Sequence, residues 1–217
     1  MKRWFFIFLL LCISTGQLKA QFLDSIQAAL TRKGRFQFDF NSRNSFIGNN
    51  DAHIFGFMMG VCFDRRFATG GGFNFLSTTI LQKDILEGQP ITKSLSFSFL
   101  SYYVEYLFKI TKHWELDIPL SIGVGTSSYT YQLNSIPVTE NERFVMPIEP
   151  SVELDYDFNK YFGVYIQAGY RLMLVNNNEI IMNFNSPTYD FGVLLYPLEI
   201  YAGIFPKTKL AHMIEDN

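Results

Sequence analysis

Trp114-Glu115-Leu116-Asp117-Ile118-Pro119-Leu120-Ser121-Ile122-Gly123-Val124-Gly125 decides the fold, because every even position in it is apolar and every odd position is charged, small or proline. In a strand, successive side chains point to opposite faces. Trp114, Leu116, Ile118, Leu120, Ile122 and Val124 therefore make one apolar stripe about ten residues long, the length that suits a tilted strand crossing a hydrocarbon layer. The reading turns on whether other stretches repeat this pattern, and on which face meets oil.

They do repeat it. Phe36, Phe38 and Phe40 alternate with Arg35, Gln37, Asp39 and Asn41. Further strands are expected over 53–63, 67–75, 95–110, 114–131, 144–156, 162–172 and 189–205, eight in all. In 95–110 the apolar parity changes between Phe99 and Tyr102, and a bulge near Leu100 and Ser101 is expected to reconcile the halves. Pro119, Pro147, Pro150 and Pro197 each lack a ladder donor and call for bulges or frayed ends whose places the pattern does not give.

The connections alternate long and short: 42–51, 77–94, 132–143 and 176–187 are long, and the turns at 64–66, 111–113 and 157–161 are short. In up-and-down order this puts all short turns at one end and all long loops at the other, as in an outer-membrane barrel. Phe63, Phe67, Phe108, Trp114, Tyr156 and Phe162 flank the short turns on the apolar face, so closure gathers them into a lipid-interface girdle. The other face is Gly, Ser and Gln with few charges, unlike the Lys- and Glu-rich surface of a soluble sheet. The expected fold is all-β, an eight-stranded antiparallel up-and-down transmembrane β-barrel with a short N-terminal helix. Alternation alone leaves a soluble lipocalin-like binding barrel, with its apolar face inward, as an alternative.

Lys2 and Arg3 precede an apolar run from Trp4 to Ile13, and Ser14 to Ala20 completes the pattern of a secretory signal peptide over 1–20. Removing it takes Lys2, Arg3 and Lys19 and no acid, moving the formal charge from −2 to −5. Residues 21–34 then form a short periplasmic segment, helical from Phe22 to Lys33, 35–205 form the barrel, and 206–217 a polar tail. Cys62 is the only cysteine beyond the signal, so no intramolecular disulfide forms there.

The inward face is expected to carry Arg35, Asp39, Glu105, Glu115, Asp117, Glu149, Glu153, Asp155 and Arg171. Eight strands enclose a lumen that side chains fill, so these charges are read as a packed network in which Arg35 and Arg171 partner some of the acids. No catalytic, cofactor or metal site is assigned. The acids have no spacing specific for a cation, and Gly70-Gly71-Gly72 lies in a strand without the Lys and helix of a phosphate loop. Of the histidines beyond the signal, His53 lies at the long-loop rim near Ser45 and Asp51, where an enzyme would reach outer-leaflet lipid, whereas His113 is in a turn and His212 in the tail. His53 is read as a surface hydrogen-bonding residue.

Gly70-Gly71-Gly72-Phe73-Asn74, Tyr103-Val104-Glu105-Tyr106 leading to Trp114-Glu115-Leu116, Glu149-Pro150 and Gly169-Tyr170-Arg171 together resemble the small outer-membrane β-barrel family of Bacteroidetes and, more distantly, the eight-stranded OmpA-transmembrane-domain and OmpX-like barrels. The residues themselves give the expectation of a monomer that is not an enzyme; the resemblance implies an outer-membrane, multi-pass barrel assembled by the barrel-assembly machinery. It implies contact with outer-membrane lipids and lipopolysaccharide, and a structural or interaction role exerted through the loops on a protein partner. An accessory role in type IX-like secretion and a lipid A-modifying enzyme are the alternatives; nothing points to nucleic acid.

Overall fold

The computed structural model describes residues 24–86, 88–133, 136–180 and 182–205. The signal peptide and the polar tail lie outside them. A helix, α1 (residues 24–30), precedes nine strands and a second helix, α2 (Pro197–Ile204). The strands are β1 (Gly34–Ile47), β2 (Asn50–Phe63), β3 (Phe67–Leu76), β4 (Leu81–Leu86), β5 (Gln89–Lys109), β6 (Trp114–Leu133), β7 (Ile136–Asp157), β8 (Phe162–Val175) and β9 (Ser186–Leu195).

All pairings are antiparallel. Eight strands close a ring in the order β1, β2, β3, β5, β6, β7, β8, β9 and back to β1, while β4 pairs only with the outer part of β5. Closure gives every strand of the ring a neighbour on both edges, though sparsely at the β1–β9 seam, and so pairs most backbone donors and acceptors within the wall, as an all-β structure in hydrocarbon requires.

The apolar stripe is outside. Along β6, Ile118, Leu120, Ile122 and Val124 are exposed, with Val124 at 47%, whereas Asp117 is 4% exposed. Phe36, Phe38 and Phe40 on β1 and Phe191, Val193 and Leu195 on β9 are exposed in the same way. A lipocalin-like barrel needs the opposite arrangement, so that alternative is not the fold formed.

Three expectations are corrected. First, β5 pairs with β6 in one unbroken register from Ser94–Thr130 to Lys109–Glu115, with no bulge at Leu100 and Ser101. The parity changes because Leu95, Phe97 and Phe99 point inward, into an apolar plug with Ile47, Ile54, Val145, Ile180 and Phe184. Second, much of the chain read as long loops is strand. Ile47 pairs with Asn50 across a tight turn that uses Gly48 at φ 61°, residues 81–86 form β4, and Leu133 pairs with Ile136. Third, the last strand stops at Leu195, and the chain to residue 204 is helical from Pro197.

Of Pro119, Pro147, Pro150 and Pro197, the first three stand where the ladder to one neighbouring strand is interrupted, and the fourth lies outside the sheet. Pro147 stands at the register shift between β7 and β8, Pro119 has no β7 partner and Pro150 no β8 partner. Pro197 opens α2, where its missing N–H is not needed. A second shift, on the β7 side of Ser127 and Tyr129, places Asn141 at φ 54°. The β1–β9 seam is the least paired: Asn44–Tyr189 is its one register pair, supported by Phe46 N–H donating to Ser186 Oγ at 2.8 Å.

Candidate functional site

Two charge groups of opposite character divide the lumen. Toward the long loops, β1, β7 and β8 bring Arg43, Glu149 and Arg171 together. Arg43 Nη1 is paired with Glu149 Oε2, and its Nη2 donates to Asn74 Oδ1 at 2.7 Å. Asn74 passes the chain on to Ser101 Oγ at 2.9 Å. Arg171 is fully buried, 3.9 Å from Glu149 Oε1, and donates to Phe184 O at 2.9 Å and Ser45 Oγ at 3.0 Å, with its guanidinium 5.5 Å from the Phe97 ring centroid. Two guanidiniums thus bracket one carboxylate beneath the apolar plug. Beside them is a cavity of about 30 Å³ lined by Arg43, Glu149, Tyr103 and Gln167, room for about one water.

Toward the short turns the lumen is acidic. Glu115 stands directly opposite Asp155, and Asp117 directly opposite Glu153. Directly opposed like charges destabilise a sheet. Glu105 on β5 and Asp39 on β1 line the same half, and among the described residues none of these six acids makes a salt bridge. Carboxylate oxygens of Glu115, Asp117 and Asp155 lie within 4.8 Å of one another, and Asp117 Oδ1 and Asp155 Oδ1 have no hydrogen-bond partner. An all-carboxylate set of this kind suits a hard cation rather than a transition metal.

The nine charges expected inward are thereby sorted. Glu149 and Arg171 meet; Asp39, Glu105, Glu115, Asp117, Glu153 and Asp155 gather apart from them. Arg35 joins neither group, because its Nη2 bonds Glu199 Oε1 of α2 at 2.8 Å. Arg65 reaches the same oxygen at 3.9 Å, and Tyr196 Oη donates to Asp157 Oδ1 at 2.8 Å, so α2 is tied to several points of the short-turn end. Burial and the Asp157 carboxylate both push the Tyr196 phenol up from its ordinary value. Asp190, inward on β9, accepts from Tyr165 Oη at 2.7 Å.

The sequence reading missed Arg43, Asn74, Asp190 and Glu199. Arg43 shares the parity of Arg35 and Asp39 and was hidden by reading 42–51 as a turn. The six aromatics at the short turns lie on the outward parity: Trp114 and Tyr156 pack with centroids 4.8 Å apart and rings tilted by 57°, and the Phe108 and Tyr106 centroids are 4.5 Å apart.

At the opposite rim, Ser45 and Asp51 are not the partners of His53. Ser45 points inward to Arg171. His53 Nε2 is instead 2.8 Å from Ser42 Oγ and Nδ1 is 3.0 Å from Asn44 Oδ1, beside an open cavity of about 220 Å³ lined by Asn44, Asp51, His53, Thr78 and Tyr189. Above it, Lys93 binds Asp84 Oδ2 at 2.6 Å and also contacts Glu140 Oε1, clamping β4 and β7 to β5. These contacts, Asp84 first, hold the Lys93 ammonium above its ordinary value, and Lys93 holds Asp84 below the usual carboxylate range.

No family model and no curated protein matches the chain. Among solved structures it is similar to Neisserial surface protein A, with TM-score 0.48 and 8% identity over 73% of this chain and 93% of that one. The N-terminal β-barrel domain of Pseudomonas aeruginosa OprF gives TM-score 0.43 and 10% identity over 74% and 97%. Ail of Yersinia pestis, in complex with the heparin analogue sucrose octasulfate, gives 0.46 and 11% over 74% and 97%.

Proposed function

We propose that this chain is an integral outer-membrane β-barrel whose lumen is occluded and whose role is exerted at its surfaces, in contact with lipid and lipopolysaccharide along the wall and with a protein partner at the long-loop end. The observation that carries this reading is the continuous belt of exposed Phe, Leu, Ile and Val on the outward face of a closed ring. Water would penalise such a belt, and a hydrocarbon layer would not. The short turns then face the periplasm, and the β4–β5, β6–β7 and β1–β2 hairpins project outward. Strands of 20 to 22 residues in β5, β6 and β7 support this, since about 9–11 residues suffice to cross. The apolar plug and the Arg43–Glu149–Arg171 group support occlusion.

Membrane fractionation with heat-modifiable gel mobility tests the reading. Detergent-extracted protein from the outer-membrane fraction migrates faster unheated than boiled, and the reconstituted protein is silent in planar bilayers. A soluble chain without a mobility shift contradicts the membrane assignment; steady single-channel conductance contradicts occlusion.

A further inference from the structure

We propose that Ser42, His53 and Asn44 form an esterase site on the outer wall of the barrel, directed at acyl esters of outer-leaflet lipid; the choice of substrate rests on the membrane reading above. Asn44 Oδ1 can only accept, so the 3.0 Å contact assigns the proton of His53 to Nδ1. Nε2 is then the free lone pair, 2.8 Å from Ser42 Oγ, and takes the hydroxyl proton. Nucleophile, base and orienting group stand in the relation that activates a serine. Ser42 and Asn44 are two residues apart on β1, and His53 pairs with Asn44 across the hairpin, so the strand register itself sets the arrangement.

Depth supplies the substrate class. All three side chains share the outward parity of Phe40 and Phe55 and so face the membrane. His53 is ten residues along β2 from Phe63 of the short-turn girdle, which at about 3.3 Å per residue and a tilt near 40° is roughly 25 Å, the height of the apolar band of such barrels. The site therefore lies at the far edge of the belt, where the ester groups of lipids sit. The cavity beside it has Thr78, Asp51 and exposed Tyr189 in its wall.

The seam provides a candidate oxyanion donor. Phe46 N–H points toward β9, as its bond to Ser186 Oγ shows, and alternation turns the N–H groups of Asn44 and Ser42 the same way. Below Asn44–Tyr189 the two strands form no further register pair, so the Ser42 N–H faces the gap. The backbone N–H of the nucleophile is a usual member of such a hole.

In the reaction Ser42 Oγ bonds the ester carbonyl carbon while His53 Nε2 takes its proton. Collapse breaks the ester C–O bond, and the imidazolium returns the proton to the departing alkoxide. Water then attacks the acyl-serine, passes a proton through His53 and releases fatty acid and free Ser42.

The test uses folded full-length protein in micelles. A fluorophosphonate probe adds one label at Ser42, and mass spectrometry detects fatty acid released from glycerophospholipid vesicles, from lipopolysaccharide, or from both, which separates the two ester sources. Ser42→Ala removes label and release, and His53→Ala lowers release by roughly 10³-fold or more. Asn44→Ala lowers kcat with KM unmoved, whereas Asn44→Asp restores it, as an orienting role requires and a merely structural one does not. His113→Ala leaves the rate unchanged. Each variant is checked for heat-modifiable mobility. Folded wild-type protein that takes no label and releases no fatty acid from either lipid overturns the proposal, as does release that survives in folded Ser42→Ala; a barrel that is heat-modifiable yet inert leaves the membrane reading standing.

Discussion

Gln37 and Tyr103 meet over a bare strip of the barrel wall: Gln37 Nε2 donates to Tyr103 Oη at 3.0 Å, above a register row that runs Gln37, Gly60, Gly70, Tyr103. A Cβ on Gly60 would lie 2.3 Å from Tyr103 Oη, and one on Gly70 2.1 Å from Met59 O. The two glycines leave the space that the phenol fills.

Gly60→Val is accordingly expected to destabilise the barrel by about 1–3 kcal/mol through overpacking, seen as a lower urea midpoint in lipid vesicles. Tyr103→Phe keeps the packing and loses only the bond to Gln37, for about 1 kcal/mol.

Glu149 lies between Arg43 and Arg171, and removing it leaves two guanidiniums facing each other in a dry lumen. Glu149→Ala is expected to cost about 3–5 kcal/mol. Arg171→Met, which also gives up the bonds to Phe184 O and Ser45 Oγ, should lower the same urea midpoint.

The opposed pairs Glu115–Asp155 and Asp117–Glu153 predict the reverse effect. Asp117→Asn removes one of two directly opposed acids and should raise stability by about 0.2–1 kcal/mol at low salt in the alkaline range where both carboxyls are ionised. The gain should shrink in high salt for the water-accessible part of the lumen, as equilibrium unfolding at two salt concentrations would show.

Lys93, Asp84 and Glu140 make the outer hairpin pH-sensitive at both ends of the scale. Asp84 is held below the carboxylate range, so its contribution is present above about pH 4 and is lost as pH falls through its lowered value. Lys93 is held above the lysine range, so its contribution is present below about pH 10 and is lost as pH rises through its raised value. Protease resistance of the β4–β5 hairpin should be flat between about pH 5 and 9 and fall below pH 4. Lys93→Ala should remove the resistance throughout.

Much of the architecture could be read from alternation, because a wall with oil on one side repeats every second residue. The belt and the inward position of Glu115, Asp117, Glu153 and Asp155 follow from parity alone. That Glu115 opposes Asp155 depends on register, which parity does not contain. Leu95, Phe97 and Phe99 were misread as a reason for a bulge, since a lumen was assumed polar throughout, whereas its outer half is an apolar plug. The polar stretches 77–94 and 132–143 read as loops, although in hairpins standing clear of lipid such residues are ordinary strand surface. The pairing of His53 with Ser42 and Asn44 required knowing that β1 continues past Asn41.

Collision accessibility along β6 is the most direct test of which face meets lipid. Single cysteines are placed at each position from 116 to 124 in a Cys62→Ala background, spin-labelled and reconstituted into vesicles. Labels at Leu116, Ile118, Leu120, Ile122 and Val124 should relax with oxygen and resist a water-soluble nickel chelate, with the odd positions shielded from oxygen. Nickel access at the even positions and oxygen access at the odd ones would contradict a barrel that wears its apolar face outside.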